Sequence, residues 1–286
     1  MSKSKVAITH DHDIRKGFER ALEHLGCLSD LFTNKHVSIK PHDACANPDD
    51  TVTCTQADTI KALVGVIKRH NPNKITITGG SSGILGTNHV FELLGINDLI
   101  SEENIEYFNH NRGPFKRVSL EWGPVKEVVI NPHIFSYDTI VSLAQHKSHR
   151  KTDISLTMRN IAMAFPAHDY YTHEKTKEES RKSFFSDMHG FIAGMCKRFP
   201  VQLAIINGHP AAHQGAVFDS QLIIAGRDFV AVDYVGARVM GISGPVAHIE
   251  QAERLGLGHS KPENMEIVGT SIEKAAEIFA LRARAA

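Results

Sequence analysis

Short apolar runs rich in β-branched residues alternate along this chain with segments of helical period. Val6-Ala7-Ile8-Thr9, Val37-Ser38-Ile39-Lys40, Lys74-Ile75-Thr76-Ile77-Thr78, Thr139 to Ala144, Val201 to Ile206 and Leu222 to Ala225 have the length and residue types of buried strands. Between them lie amphipathic patterns. Phe18, Leu22 and Leu25 fall at i, i+4 and i+7 of a helix from Asp13 to Leu25, stopped by Gly26. Ile60, Leu63, Val64 and Ile67 share a face of a helix from Thr55 to Arg69. Further helices are predicted through Val90 and Leu94 to Gly95, from Met188 to Met195, over Val230–Met240 and Val246–Leu255, and from Ser271 to Arg284. For the last of these, Thr270 with Glu273 has the spacing of a capping box. Weaker strand signals fall near Ile105, at Val118 to Leu120, at Val128 to Ile130 and at Met265 to Val268. Parallel strands need a crossover, usually a helix, so the alternation predicts an α/β fold: a mainly parallel sheet with helices on both faces. The chain reads as a single domain, 1–286, or as two lobes, 1–100 and 101–286, with the site between them.

Charge and composition remove several function classes. Lys plus Arg balance Asp plus Glu at 32 each, which gives no bulk attraction to nucleic acid or anionic lipid. No apolar run approaches the ~20 residues needed to cross a bilayer. The first residues lead straight into a strand pattern without a signal-peptide profile, so a cytoplasmic protein is expected. Cys27, Cys45, Cys54 and Cys196 form no C-x-x-C, as in a reduced protein. Cys45 and Cys54, at the ends of one loop, are too few for an iron–sulfur cluster, which needs four. The unusual figure is 18 histidines, because imidazole is both a metal ligand and an acid/base near neutral pH.

The densest polar cluster is His146-Lys147-Ser148-His149-Arg150-Lys151-Thr152, directly after the run Thr139 to Ala144. A strand that ends in such a cluster brings it to the sheet edge where open α/β folds bind ligands. Lys147 and His149 face one side if the strand continues to 149, and the cation then favours a neutral imidazole. Thr152 could cap the next helix and turn its N-terminus toward an anion, with Arg159 on the same helical face. The alternative is a basic surface turn. Lys40-Pro41-His42-Asp43 also ends a strand. Gly79-Gly80-Ser81-Ser82-Gly83 joins a strand to a helix, and its amides could cradle an anion, or the glycines could simply allow a tight turn. It lacks both the G-x-G-x-x-G spacing and a Walker lysine, so neither NAD nor an NTP is expected.

His10-Asp11-His12-Asp13 offers ligand types for zinc, iron or nickel, although Asp11 or Asp13 would also suit a helix N-cap. His209 and His213 lie in a Gly-rich turn after a buried strand and could ligate a metal or handle protons. His189 lies on an apolar helical face, where a histidine of the core would also sit. Ala167 to Ser183, the most polar segment, reads as a mobile loop or lid. Asp228 precedes a helix and suits an N-cap. Asp233 falls within that helix's apolar stripe and is expected to pair with Lys40 or Lys147.

Taken in order, these features resemble the family catalogued as domain of unknown function 362. Lys40-Pro41, the threonines from Thr51 to Thr55, the loop Gly79 to Gly83, Lys147-x-His149 with Thr152, Leu156 and Arg159-Asn160, a later helical His189, and Ala225-Gly226-Arg227-Asp228-Phe229-Val230-Ala231-Val232-Asp233 follow its pattern over roughly residues 35 to 270. Arg159 stands where that family more often has Lys, which keeps the charge and changes the donor geometry. Many relatives carry an appended iron–sulfur domain, and none is read here. The N-terminal order of loop, helix, strand and glycine loop is also similar, more distantly, to that of nickel-dependent lactate racemases.

The resemblance and the residues together give one expectation: an enzyme for a small anionic molecule, a carboxylate or phosphate, working by acid/base or metal-assisted isomerisation, elimination or hydrolysis. In it His149, Lys147 and His189 are catalytic. Lys40, Gly80, Ser81, Ser82, Thr152, Arg159 and Asn160 bind substrate. His149, His209 and His213 ligate any iron, zinc or nickel. A non-catalytic redox-accessory protein that holds a metal or cofactor is the alternative. A homo-oligomer is compatible with the sequence; nucleic-acid and membrane partners are not expected.

Overall fold

The computed structural model describes residues 3–44, 51–80, 86–173 and 184–286. The strands are β1 (Ser4–His10), β2 (His36–Pro41), β3 (Lys74–Gly79), β4 (Glu106–Asn109), β5 (Lys116–Ser119), β6 (Glu127–Ile130), β7 (Thr139–His149), β8 (Asp153–Ser155), β9 (Leu203–His213), β10 (Ala216–Phe218), β11 (Leu222–Gly226) and β12 (Met265–Gly269). The helices are α1 (Ile14–Leu25), α2 (Ser29–Phe32), α3 (Ala57–Lys68), α4 (Thr87–Leu93), α5 (Ile96–Glu102), α6 (Thr157–Ala164), α7 (His168–Thr172), α8 (Met188–Arg198), α9 (Phe229–Val239), α10 (Ala247–Arg254) and α11 (Ile272–Arg284). Among the described residues no helix is long and apolar enough to cross a membrane.

The main sheet has the order β12-β1-β11-β9-β7-β2-β3-β4. All of these run parallel except β11, which is antiparallel to both β1 and β9. β11 is reversed because the chain reaches it from the β9–β10 hairpin through a short turn, and hairpin connections make antiparallel neighbours. Strands from before and after residue 100 interleave in this one sheet. Alternate residues feed two cores, as the period of a strand requires. Val6 and Ile8 join α6, α8, α9, α10 and α11 on one face. Ala7, Val141 and Leu143 join α1, α2, α3 and α5 on the other.

Three expectations need correction. The strand signals at Val118 to Leu120 and Val128 to Ile130 do not extend the main sheet; they become β5 and β6, a separate two-stranded antiparallel pair. The run from Val201 to Ile206 does not end in a Gly-rich turn. β9 continues through His213 because β10 and the end of β7 supply hydrogen-bonding partners, with Lys147 opposite Ala212. The C-terminal helix is capped by Ser271, whose hydroxyl accepts from the Lys274 amide, and not by Thr270. Elsewhere the local chemistry acts as the sequence suggests. Asp13 accepts from the Arg15 and Lys16 amides at the start of α1, and Gly26 ends it at φ +89°.

Candidate functional site

β2 and β7 are adjacent and parallel, with Lys40 opposite Ser142 and Pro41 opposite Leu143. Their C-terminal ends therefore reach the same edge of the sheet. β7 extends to His149 and turns back into β8, with Lys147 opposite Ser155. α6 then begins over this edge. Lys40, His42, Asp43, Lys147, His149, Ser155, Arg159 and Asn160 are gathered by this arrangement.

Lys40, Asp43 and Asn160 are used internally. Lys40 is buried and its Nζ donates to the Pro41 carbonyl, to Asp43 Oδ1 at 2.6 Å and to Asn160 Oδ1 at 3.5 Å. All three ammonium protons have protein acceptors. Asp43 Oδ2 accepts from the Gly80 amide at 2.9 Å and the Thr87 hydroxyl at 2.8 Å. The anion held at the start of the glycine loop is thus the chain's own Asp43. Gly80 has a packing reason as well, because a Cβ there would run into the Ala164 carbonyl. Asn160 Nδ2 donates to the Lys40 carbonyl and to Ser142 Oγ. Lys40, Gly80 and Asn160 form a buried brace instead of offering donors to a ligand. Ser81 and Ser82 lie outside the described residues, as do Cys45 and most of the lid-like segment, 174–183.

Arg159 is different. Its NH1 donates to Ser155 Oγ at 2.8 Å, and its buried Nε has no hydrogen-bond partner. Among the described residues no carboxylate pairs with it. Burial alone lowers its guanidinium to about 10, so it remains charged. Beside it, burial pulls the Lys147 ammonium down to about 8, with Arg159 and Lys40 adding to the effect and Cys54 and Asp43 opposing it. Lys147 Nζ donates to the carbonyls of Thr53 at 3.0 Å and Ala44 at 3.5 Å.

Two imidazoles face these cations and are held neutral. His42 is buried, and its Nδ1 accepts from the Gln145 amide at 2.9 Å. An amide can only donate, so the ring proton is on Nε2, which lies 3.4 Å from Ser155 Oγ. Burial, then Lys147, Lys40, Arg159 and His149, drive its pKa well below the ordinary histidine value. His149 is lowered to about 4 by burial, then by Arg159, Lys147, Lys151 and Arg150. Its Nδ1 is 3.0 Å from Thr152 Oγ1, which also lies 2.9 Å from the Ile154 carbonyl. The Lys151 amide donates to the same Nδ1 at 3.3 Å, and since an amide can only donate, Nδ1 accepts and the His149 ring proton is on Nε2.

Thr152 therefore orients His149 and does not cap the next helix, which starts five residues later. That N-terminus is closed to outside anions. Asp233 Oδ1 accepts from the Thr157 amide at 2.9 Å and the Thr157 hydroxyl at 2.5 Å, and Oδ2 accepts from the Met158 amide at 3.0 Å. Asp233 is fully buried and pairs with neither Lys40 nor Lys147. Burial pushes its carboxyl up to about 7, against the pull of these donors. Asp228 is the expected N-cap of α9, accepting from the Val230 and Ala231 amides.

The other histidines lie apart. His209 Nδ1 faces Asp219 Oδ1 at 3.0 Å, and His213 packs edge-on against Phe279. His189 meets His248, with Nδ1 atoms 3.0 Å apart. His12 is in solvent, while Asp11 accepts from the Asp13 amide and Arg20. Among the described residues no group of three or more His, Cys, Asp or Glu side chains converges as a metal site. His149, His209 and His213 sit in separate surroundings and do not make one ligand set, so the expected donors do not fit iron, zinc or nickel.

His42, Asp43 and Ser155 are gathered at this edge, although the sequence reading gave them no role in the site. His42 and Asp43 had a signal, since they follow Lys40-Pro41 at a strand end. Ser155 also had one, at i, i+4 from Arg159.

No curated protein matches the chain. Among solved structures, the lactate racemase apoprotein from Thermoanaerobacterium thermosaccharolyticum superposes with a TM-score of 0.51 at 14% sequence identity, over 89% of this chain and 57% of that one. This chain spans little more than half of that racemase, and the likeness is one of fold. The family model described as domain of unknown function (DUF362) matches residues 37–238, well over half of the chain. With its Lys-x-His strand end and its Asp228-to-Asp233 motif in the places just described, the chain belongs to the DUF362 family.

Proposed function

We propose that the protein is an enzyme that binds a small carboxylate or phosphate at Arg159 and moves a proton on it with His149. The observation behind this reading is the partly buried Arg159 guanidinium, whose buried Nε is unsatisfied and which has no carboxylate partner among the described residues. A buried charge without a partner is costly, and a bound anion would remove that cost. A carboxylate would lie across the Arg159 fork. Lys147, from the facing strand, would add a second positive charge.

His149 supplies the base. In the tautomer with its proton on Nδ1, donated to Thr152 Oγ1 in place of the Lys151 amide contact, its Nε2 lone pair accepts a proton from the carbon next to a bound carboxylate. The negative charge that develops on the carboxylate oxygens is then held by Arg159 and Lys147, an effect of the kind that contributes about 10²–10³ in rate. In the free protein the imidazole is a weak base at about 4, partly because of these same cations. A bound anion offsets them and raises the imidazole toward the working range. Returning the proton to a different position or face gives an isomerisation, the reaction type named for the racemase of similar fold. Loss of a β-substituent instead gives an elimination.

The test is proton exchange in D₂O, followed by proton NMR, with a panel of small hydroxycarboxylates and phosphate esters. One panel member should lose its C–H signal with the wild-type protein. His149→Ala should abolish the exchange with the circular-dichroism spectrum unchanged, and Arg159→Met should raise the substrate concentration needed. Exchange that survives His149→Ala would remove His149 from the mechanism.

A further inference from the structure

Ser155, fully buried at the end of β8, has a hydroxyl whose side-chain partners are all donors. Arg159 NH1 donates to its Oγ at 2.8 Å, and a guanidinium cannot accept. His42 Nε2 lies 3.4 Å from the same oxygen. The Gln145 amide fills the other ring nitrogen of His42, so Nε2 carries the ring proton and can only donate. Both lone pairs of the Ser155 oxygen thus face N–H groups. Its own hydrogen points elsewhere, and among the described residues nothing accepts it.

The neighbouring cations have the same surplus. β8 pairs antiparallel with β7 and sets Ser155 directly opposite Lys147, so the two side chains leave one face of the ladder. His149, two residues beyond Lys147, shares that face. An ammonium has three hydrogens, and the Lys147 Nζ has two acceptors, the Thr53 and Ala44 carbonyls. The buried Arg159 Nε–H has none. The carboxylates of the neighbourhood are already filled: Asp43 accepts from Lys40, Gly80 and Thr87, and Asp233 from Thr157 and Met158. Ser155, Lys147 and Arg159 each keep one donor hydrogen without an acceptor, where native folds rarely leave buried donors open.

We propose that the Ser155 hydroxyl donates to the bound anion, and that His42 sets this direction by holding its own N–H on the hydroxyl oxygen. The inference rests on the anion-binding reading above and gives its ligand a definite chemistry. The group bound is an acceptor-only oxyanion, such as a fully ionised carboxylate, whose two oxygens have lone pairs for all three donors. A primary amide of the same shape turns an NH₂ toward these donors and is rejected. The bond to Ser155 also keeps the anion on the face that carries His149. His42 is a positioning residue: it acts through Ser155 and does not touch the ligand.

The probe is sulfate, an oxyanion with no hydrogen near neutral pH, titrated by calorimetry into the full chain at pH 7. Ser155→Ala should weaken binding about tenfold, and Ser155→Thr, which keeps the hydroxyl, should recover most of it. A Ser155 that only props Arg159 would matter less once that side chain is changed. The proposal instead expects the same loss from Ser155→Ala in an Arg159→Lys background. His42→Phe should weaken binding in the wild type and add nothing to Ser155→Ala, whereas a structural role for His42 would cost affinity in both. Should the variants fail to fold, the wild type still decides: sulfate should slow exchange of the Ser155 hydroxyl hydrogen, read from the deuterium isotope shift on its Cβ carbon. Equal sulfate affinity in wild type and Ser155→Ala, or hydroxyl exchange indifferent to bound sulfate, overturns the proposal and leaves the anion reading in place. Sulfate that does not bind the wild type, or that binds Arg159→Met equally well, removes the anion reading and this inference with it.

Discussion

Lys40 and Lys147 leave neighbouring strands at the same sheet edge, yet only Lys147 is available for chemistry. Lys40 has Asp43 at 2.6 Å and two further acceptors, all buried. Lys147 has only carbonyls and is drawn down to about 8 by burial. Removing the charge of Asp43 should leave Lys40 buried and unpaired. Asp43→Asn is expected to lower stability by about 3–5 kcal/mol, measured by urea unfolding. A loss below about 1 kcal/mol would mean that water reaches the pair. For Lys147 the expected outcome is a titration midpoint near 8 in side-chain NMR, against an ordinary lysine near 10.5. Sulfate bound at Arg159 should move that midpoint upward, because an anion favours the ammonium. The place of Lys147 at this sheet edge was legible from Lys147-x-His149 at a strand end. The role of Lys40 was misread, because Asp43, only three residues on, answers it inside the fold.

At the level of elements, α6 decides the geometry of Arg159. The helix has no side-chain cap of its own, since Leu156 occupies the N-cap position. Its first amides are satisfied by Asp233, which comes from the middle of α9. The Asp228-to-Asp233 motif thus has two structural duties, one capping its own helix and the other capping α6 across the core. Asp233→Ala should cost about 2–3 kcal/mol, from the lost cap and the buried donors left open. Asp233→Asn keeps one acceptor and should recover part of this. The same urea series measures both, and the amide shifts of Thr157 and Met158 should move in each. If the two variants were equally stable to the wild type, α6 would be held by packing alone. Asp228 could be read from sequence because its partners are two and three residues away. Asp233 could not, because its partners are more than seventy residues distant.

At the scale of the molecule, buried neutral histidines set the response to acid. His110 and His248 are held at about 3 and His146 at about 4, each mainly by burial. Below pH 6.5 the unfolded chain takes up these protons and the folded one does not, until the folded values are reached. Stability from these groups is present above about 6.5 and is lost as pH falls toward 3–4. Between pH 6.5 and 5 the loss is on the order of 2 kcal/mol per histidine. Asp233 works in the opposite direction: raised to about 7, it keeps its proton in the fold while the unfolded carboxyl gives it up. Three groups against one leave a net loss of a few kcal/mol, seen as a falling urea midpoint between pH 7 and 5. A midpoint that rises over that range would show that these imidazoles are not buried in the neutral form.

The sequence by itself determined the α/β alternation, the strand that delivers Lys147 and His149, the caps at Asp13 and Asp228, and the family. Each of these depends on period, residue type or partners within a few positions, which is information a single segment contains. The tertiary structure decided the rest. It reversed β11, gave Asp43 to the glycine loop and Lys40, placed Asp233 on α6, and brought His248 against His189. These contacts join polar groups through the fold, and the burial that makes them decisive exists only once the sheet and both helical layers have closed around them.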